Sequence, residues 1–176
     1  MVTETEKAIV LDTSAFIAGF EPLSIQGLQY SVPEVRKELA ANSLPRTRFN
    51  TAVEKGKLKV KAPRPEYAKK IRASSKAVGD LLFLSEADKQ VLALALELKD
   101  EGHRPQIVTD DYSIQNVANQ LGIQFAPLMT FGIRYRLRWT IYCPACRRKY
   151  PADYQPKRCE VCGTGLKRKP SGKMAL

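Results

Sequence analysis

Histidine is nearly missing from this chain of 176 residues: His103 stands alone, in a polar turn before Pro105. Chemistry that relies on an imidazole base is therefore not expected. Tryptophan is as scarce, with Trp139 the single example. No apolar run approaches the roughly 18–20 residues that a membrane-spanning helix needs, and the opening stretch MVTETEKAIVL carries acids where an export signal has a basic head. A cytoplasmic protein that engages no membrane is the expectation. Cysteine is absent before residue 143, and acids nearly vanish after residue 130. Residues 131–176 hold 12 Lys/Arg against 2 Asp/Glu, whereas residues 1–130 hold 17 against 16. A near-neutral body with a strongly basic end fits a polyanionic partner, nucleic acid first among them, and fits a solvated basic tail about as well.

What the chain does have is enough apolar content, 44%, to build one ordinary core, and a length that suits one domain plus a small module. Ala8–Leu11 reads as a short buried strand ending in Asp12-Thr13-Ser14, whose side chains can cap a following helix. A second strand near Tyr30–Val32 meets Pro33, which suits the first turn of a helix over 34–41. Residues 44–84 read as a basic amphipathic helix, a brief strand at Leu58–Lys61 and a second basic helix near Tyr67–Ala77. Whether the basic segment 46–76 is an RNA surface or a solvated face stays open, with the solvated face preferred. Ser85 opens a helix that carries Val91, Leu92, Ala95, Leu96 and Leu98 at helical spacing. Gln106–Thr109, Ser113–Leu121 and Ile123–Ala126 then read as strand, helix and strand. This alternation predicts an α/β class protein with a mainly parallel central sheet. In such sheets ligands sit beyond the carboxyl ends of the strands, where Asp12, Asp110 and Asp111 fall.

Those acids, with Glu38 and Asp88 on helices, form the candidate site. Each has a plain structural reading as a cap, a helix-terminal charge or a turn former. Brought together, carboxylates repel unless a cation neutralises them, and hard ions such as Mg²⁺ or Mn²⁺ take oxygen ligands while leaving positions for water and phosphate. One or two such ions suit phosphodiester hydrolysis. The segments LDTSAF at 11–16, PEVRKEL at 33–39, LSEADKQVLALA at 84–95 and VTDDYSIQNVA at 108–118 resemble the PIN-domain ribonucleases. That resemblance implies an α/β/α sandwich in which Asp12, Glu38, Asp88 and Asp111 hold divalent metal and cut single-stranded RNA. It makes Asp110 a plausible partner and gives Thr13 and Ser14 supporting hydroxyls.

Cys143-Pro-Ala-Cys146 and Cys159-Glu-Val-Cys162 are two CxxC knuckles twelve residues apart, the pattern of a closed structural zinc site with four thiolates. Between residues 134 and 141 the sequence alternates, with Arg134, Arg136 and Arg138 on one face and Tyr135, Leu137, Trp139 and Ile141 on the other, so a strand is expected. Arg147, Arg148, Lys149, Lys157 and Arg158 surround the knuckles and, with the three arginines, make an RNA-phosphate surface the expectation. Trp139 is expected to pack; Tyr142 and Tyr150 are candidates for stacking on bases. The expected organisation is a PIN-like nuclease domain at 1–128, a basic connecting strand at 129–140, a zinc ribbon at 141–166 and a flexible basic tail at 167–176. A PIN-like domain followed by such a ribbon, with YSIQNVANQLG at 112–122, resembles the archaeal NIN-one-binding-protein family. The resemblance implies an endonuclease that matures the 3′ end of small-subunit ribosomal RNA with Mn²⁺ or Mg²⁺, on the precursor small ribosomal subunit and near ribosomal proteins. A toxin-type PIN ribonuclease, a non-catalytic RNA-binding assembly factor and a zinc-ribbon DNA-binding protein are the rivals. Oligomeric state is left open.

Overall fold

The computed structural model describes residues 6–78, 84–129, 135–151, 154 and 156–175. Five short strands, β1 (Lys7–Leu11), β2 (Leu28–Ser31), β3 (Lys59–Val60), β4 (Arg104–Val108) and β5 (Gln124–Ala126), form one parallel sheet in the order β3-β2-β1-β4-β5. β1 is central, and Ala8 to Leu11 are buried along it, as a strand covered on both faces requires. The chain builds outward from β1 to one side and then returns to add β4 and β5 on the other. The crevice between the carboxyl ends of β1 and β4 is thus the switch point of the sheet.

Among the described residues six α-helices connect the strands: α1 (Thr13–Ile17), α2 (Pro33–Glu38), α3 (Leu44–Glu54), α4 (Pro65–Val78), α5 (Glu86–Asp100) and α6 (Tyr112–Gln120). α5 is the organising helix. Ser85 begins it with a reciprocal capping box to Asp88, and Val91, Leu92, Ala93, Leu94, Ala95 and Leu98 are buried where it packs on β1 and β4. Gly102, at φ 91°, ends it in a conformation that other residues adopt at a cost. Phe16 and Phe49, ring centroids 5.2 Å apart, join α1 to α3. On the charged side of α5, the buried Glu97 pairs with Lys61 and Arg64, each at 3.0 Å, and Asp100 pairs with Lys70 at 3.3 Å. Part of the basic segment 46–76 is therefore neutralised within the fold. Among the described residues no helix is long and apolar enough to cross a membrane.

A second sheet, β7-β6-β8, contains β6 (Tyr135–Tyr142), β7 (Lys149–Tyr150) and β8 (Lys167–Ala175), all antiparallel. Two expectations change here. The strand expected to connect the modules is instead the middle strand of this sheet. Residues 167–175, expected as a flexible tail, pair with β6 along its whole length. Pro170 and Gly172 read as breakers, yet β8 is an edge strand, where a missing N–H is tolerated. The pairing shifts register between Arg138 and Trp139, beside Pro170. Arg134 lies outside the described residues; Arg136 and Arg138 are placed in β6 opposite Met174 and Gly172.

Candidate active site

Asp12 follows β1 directly, is 2% exposed, and caps α1. Two hydroxyls converge on one of its oxygens. Ser14 Oγ donates to Oδ2 at 2.8 Å and accepts from the Asp110 backbone N–H at 3.0 Å. Thr109 Oγ1 donates to the same Oδ2 at 2.9 Å and accepts from the Asp111 N–H at 3.0 Å. The ends of β1 and β4 are thereby locked, and the hydrogens are all spent on Oδ2. Oδ1 is buried and has no partner. An orphaned carboxylate oxygen is costly, and burial pushes the Asp12 carboxyl above the ordinary aspartate range.

Asp88 stands in the first turn of α5, its Oδ2 accepting from Ser85 N at 2.6 Å. Burial raises its pKa to about 6; the Ser85 N–H opposes that rise, and the charges of Asp12 and Asp111 add to it. Asp88 therefore lies within electrostatic reach of Asp12 and Asp111. Asp111 caps α6, accepting from Ser113 N at 2.6 Å through Oδ1. Glu38 is exposed at the end of α2 and accepts from Thr13 Oγ1 at 2.6 Å, which puts it on the rim beside Asp12. Asp110 is used differently. Its carboxylate accepts from Leu128 N and Met129 N, both at 3.0 Å, and so ties down the segment after β5.

The donor set is all oxygen, with one buried carboxylate oxygen unpaired, and it fits a hard divalent cation rather than a soft one. The spacing is open: among the described residues the only tight group of three or more potential ligands is the cysteine quartet. The sequence does not single out Thr109, although it joins Asp12 to Asp111; the available signal is its position at the strand end before two acids. Arg168 reads from the sequence only as one of the basic residues around the knuckles. From β8 its Nη2 donates to Ser113 Oγ at 2.7 Å, so the second sheet braces the residue whose N–H holds Asp111.

The four cysteine sulfurs lie within 4.8 Å of one another, with Cys143–Cys162 at 3.4 Å and Cys146–Cys159 at 3.5 Å. Zn–S bonds of about 2.3 Å in a tetrahedron require sulfurs roughly 3.8 Å apart, so the quartet fits zinc. The two knuckles repeat one backbone pattern. Cys143 N donates to Arg148 O and Arg147 N to Cys143 O, as Cys159 N donates to Thr164 O and Gly163 N to Cys159 O. Arg147 takes φ 60° where the second knuckle has Gly163 at 70°. Tyr150, a candidate for base stacking, is instead buried, its ring 4.3 Å from that of Tyr154 and its hydroxyl 3.0 Å from Cys159 Sγ. That hydroxyl is the main reason the Cys159 thiol sits below its ordinary range. Arg147, Arg148, Lys149, Lys157 and Arg158 are exposed, and Lys169 Nζ lies 5.1 Å from the Tyr142 ring.

Comparison with known proteins shows the family of the chain. Residues 9–98 match the family described as the PIN domain of ribonuclease. The chain is 39% identical to the endoribonuclease Nob1 of Methanocaldococcus jannaschii over 93% of its length and 78% of that protein's. It is 38% identical to Nob1 of Methanothermobacter thermautotrophicus over 91% of each. Ribonuclease VapC1 of Thermoplasma acidophilum is 35% identical over 90% of the chain and 76% of its own.

Proposed function

We propose a function for this chain on the premise that it belongs to the PIN-domain ribonucleases and, within them, to the NIN-one-binding (Nob1) endoribonucleases. It is an endoribonuclease. Our reading is that it cuts single-stranded RNA in a metal-dependent way, with Asp12, Glu38, Asp88 and Asp111 holding one or two Mn²⁺ or Mg²⁺ ions, and that it acts in ribosome biogenesis at the 3′ end of the small-subunit ribosomal RNA. A bound divalent cation would supply Lewis acidity toward a phosphodiester and a water. The chain's own contribution is orientation. Ser14 and Thr109 hold Oδ2 of Asp12 and leave the buried Oδ1 without a hydrogen-bond donor, Ser85 aims Asp88, and Ser113 aims Asp111. The single histidine, His103, precedes β4 at the end of the sheet away from these acids, so no imidazole competes as the base. Asp110 serves by holding the 128–129 segment, which leaves Asp111 as the metal-binding member of the pair.

The observation that carries the reading is the unpartnered, buried Oδ1 of Asp12 within the electrostatic reach of Asp88 and Asp111. Zinc in the cysteine quartet would be structural, since four protein ligands leave no open position. The exposed cations around it, with Arg134, Arg136 and Arg138, would grip flanking RNA on the precursor small subunit, in the cytoplasm. The likeness to VapC1 supports a second reading, the same chemistry on a different RNA. Incubation with RNA spanning the mature 3′ end of the small-subunit RNA, with Mn²⁺ or with EDTA, tests both. A single metal-dependent cut at the mature end is expected. Cutting that survives EDTA overturns the metal role, and cutting of unrelated RNA at equal rates favours the second reading.

A further inference from the structure

The residues around Asp111 divide sharply by exposure. From Ser113 to Ala118 every residue of α6 is buried, yet Tyr112, the residue that opens the helix, is 49% exposed. Leu128 and Met129 are 41% and 77% exposed. Single exposed apolar side chains are common and mean little. These three are not scattered. Tyr112 follows Asp111 in the chain, with adjacent Cα atoms about 3.8 Å apart. Leu128 and Met129 are held against residue 110 by the two backbone hydrogen bonds that occupy the Asp110 carboxylate. An ionisable side chain at the edge of the site is thus spent on keeping an apolar segment in place.

The acids, with the divalent cations proposed above, act on the scissile phosphate, and uncharged groups beside them can add affinity for the neighbouring base. Bases stack on aromatic faces without regard to charge, each stacked base contributing about 1–3 kcal/mol. We propose that Tyr112, together with Leu128 and Met129, which are tied to residue 110, is a shelf on which the unpaired base next to the scissile phosphate stacks. The inference rests on the cleavage reading above, and it names the subsite that makes the enzyme demand an unpaired nucleotide there. A protein partner on the same surface is the competing occupant.

The test uses the full chain with zinc and Mn²⁺ present, and RNA oligonucleotides carrying a single abasic site at each position beside the mapped cut. Tyr112→Ala should raise KM about tenfold with kcat nearly unchanged, and Tyr112→Phe should restore the wild-type value. One abasic position should raise the wild-type KM by a similar factor and leave the Tyr112→Ala enzyme unaffected. Abasic penalties that are the same in both enzymes overturn the shelf, as does a Phe variant no better than Ala. If no RNA is cut at all, the cleavage reading fails separately. Quenching of a fluorescent adenine analogue on binding then decides the shelf: loss in Tyr112→Ala supports it, and equal quenching with unchanged affinity points to the protein partner and overturns it. Met129→Ser, which leaves the helix untouched, should show the same pattern at smaller size.

Discussion

The body of the protein and its second sheet solve the same problem with different means. The body buries a continuous core of aliphatic residues between a parallel sheet and its helices, and no single side chain dominates it. The buried cluster of the second sheet is Ile141, Cys143, Tyr150 and Cys159, so half of its members belong to the cysteine quartet. One region is held by burial that any similar side chain could approximate. The other gathers four thiols whose coordination of an ion no similar side chain would replace. The polar groups are placed in the reverse sense: the body keeps one unpaired carboxylate oxygen, on Asp12, at its switch point, while the second sheet gathers four thiols that could share one ion.

The largest test of that contrast is removal of zinc. Chelation, or Cys159→Ser, should unfold the second sheet while the body persists, because structural zinc contributes on the order of 10 kcal/mol to small domains of this kind. Amide exchange should rise at Ile141 and Tyr150 and stay slow at Leu92; a simultaneous rise at Leu92 would break the comparison. Next in size is Asp12→Asn, which should lower the cleavage rate by at least about 100-fold, with RNA affinity retained. The same variant should raise the melting temperature of metal-free protein, since the buried carboxylate it removes is held above its ordinary pKa. Third is pH. Asp88 binds its proton more tightly folded, at about 6, than unfolded, near 3.8. Metal-free protein should therefore lose stability as pH rises through that window, on the order of 2–3 kcal/mol, and added Mn²⁺ should abolish the loss. Denaturant titrations at pH 4 and pH 7 would check the sign. The smallest effect concerns the basic surface. Replacing Arg147, Arg148 and Lys149 by Ala should weaken RNA binding and flatten its salt dependence, by about 0.7 in logarithmic slope for each phosphate no longer neutralised.

The body is legible because its signals are local. LDTSAF contains its own strand end, cap and acid, and Ser85 with Asp88 writes a capping box within four residues. The cysteine spacing is equally self-contained. What the sequence hides depends on pairings between distant segments. The direction of the Asp110 side chain is set by two N–H groups eighteen and nineteen residues later. Tyr150 is a different case: its covers, Tyr154 and Cys159, lie within nine residues, but no regular helical or strand spacing links them to it. The pairing of KRKPSGKMA is hidden by its own proline and glycine, which forbid a central strand but not an edge one.

The hydrogen bond from Arg168 to Ser113 sets an order of events during synthesis. A growing polypeptide has every strand of the parallel sheet once residue 126 is made, and all five acids by then as well. Ser113 nevertheless waits for a guanidinium 55 positions further on. The brace behind Asp111 therefore arrives only after both cysteine knuckles have been made.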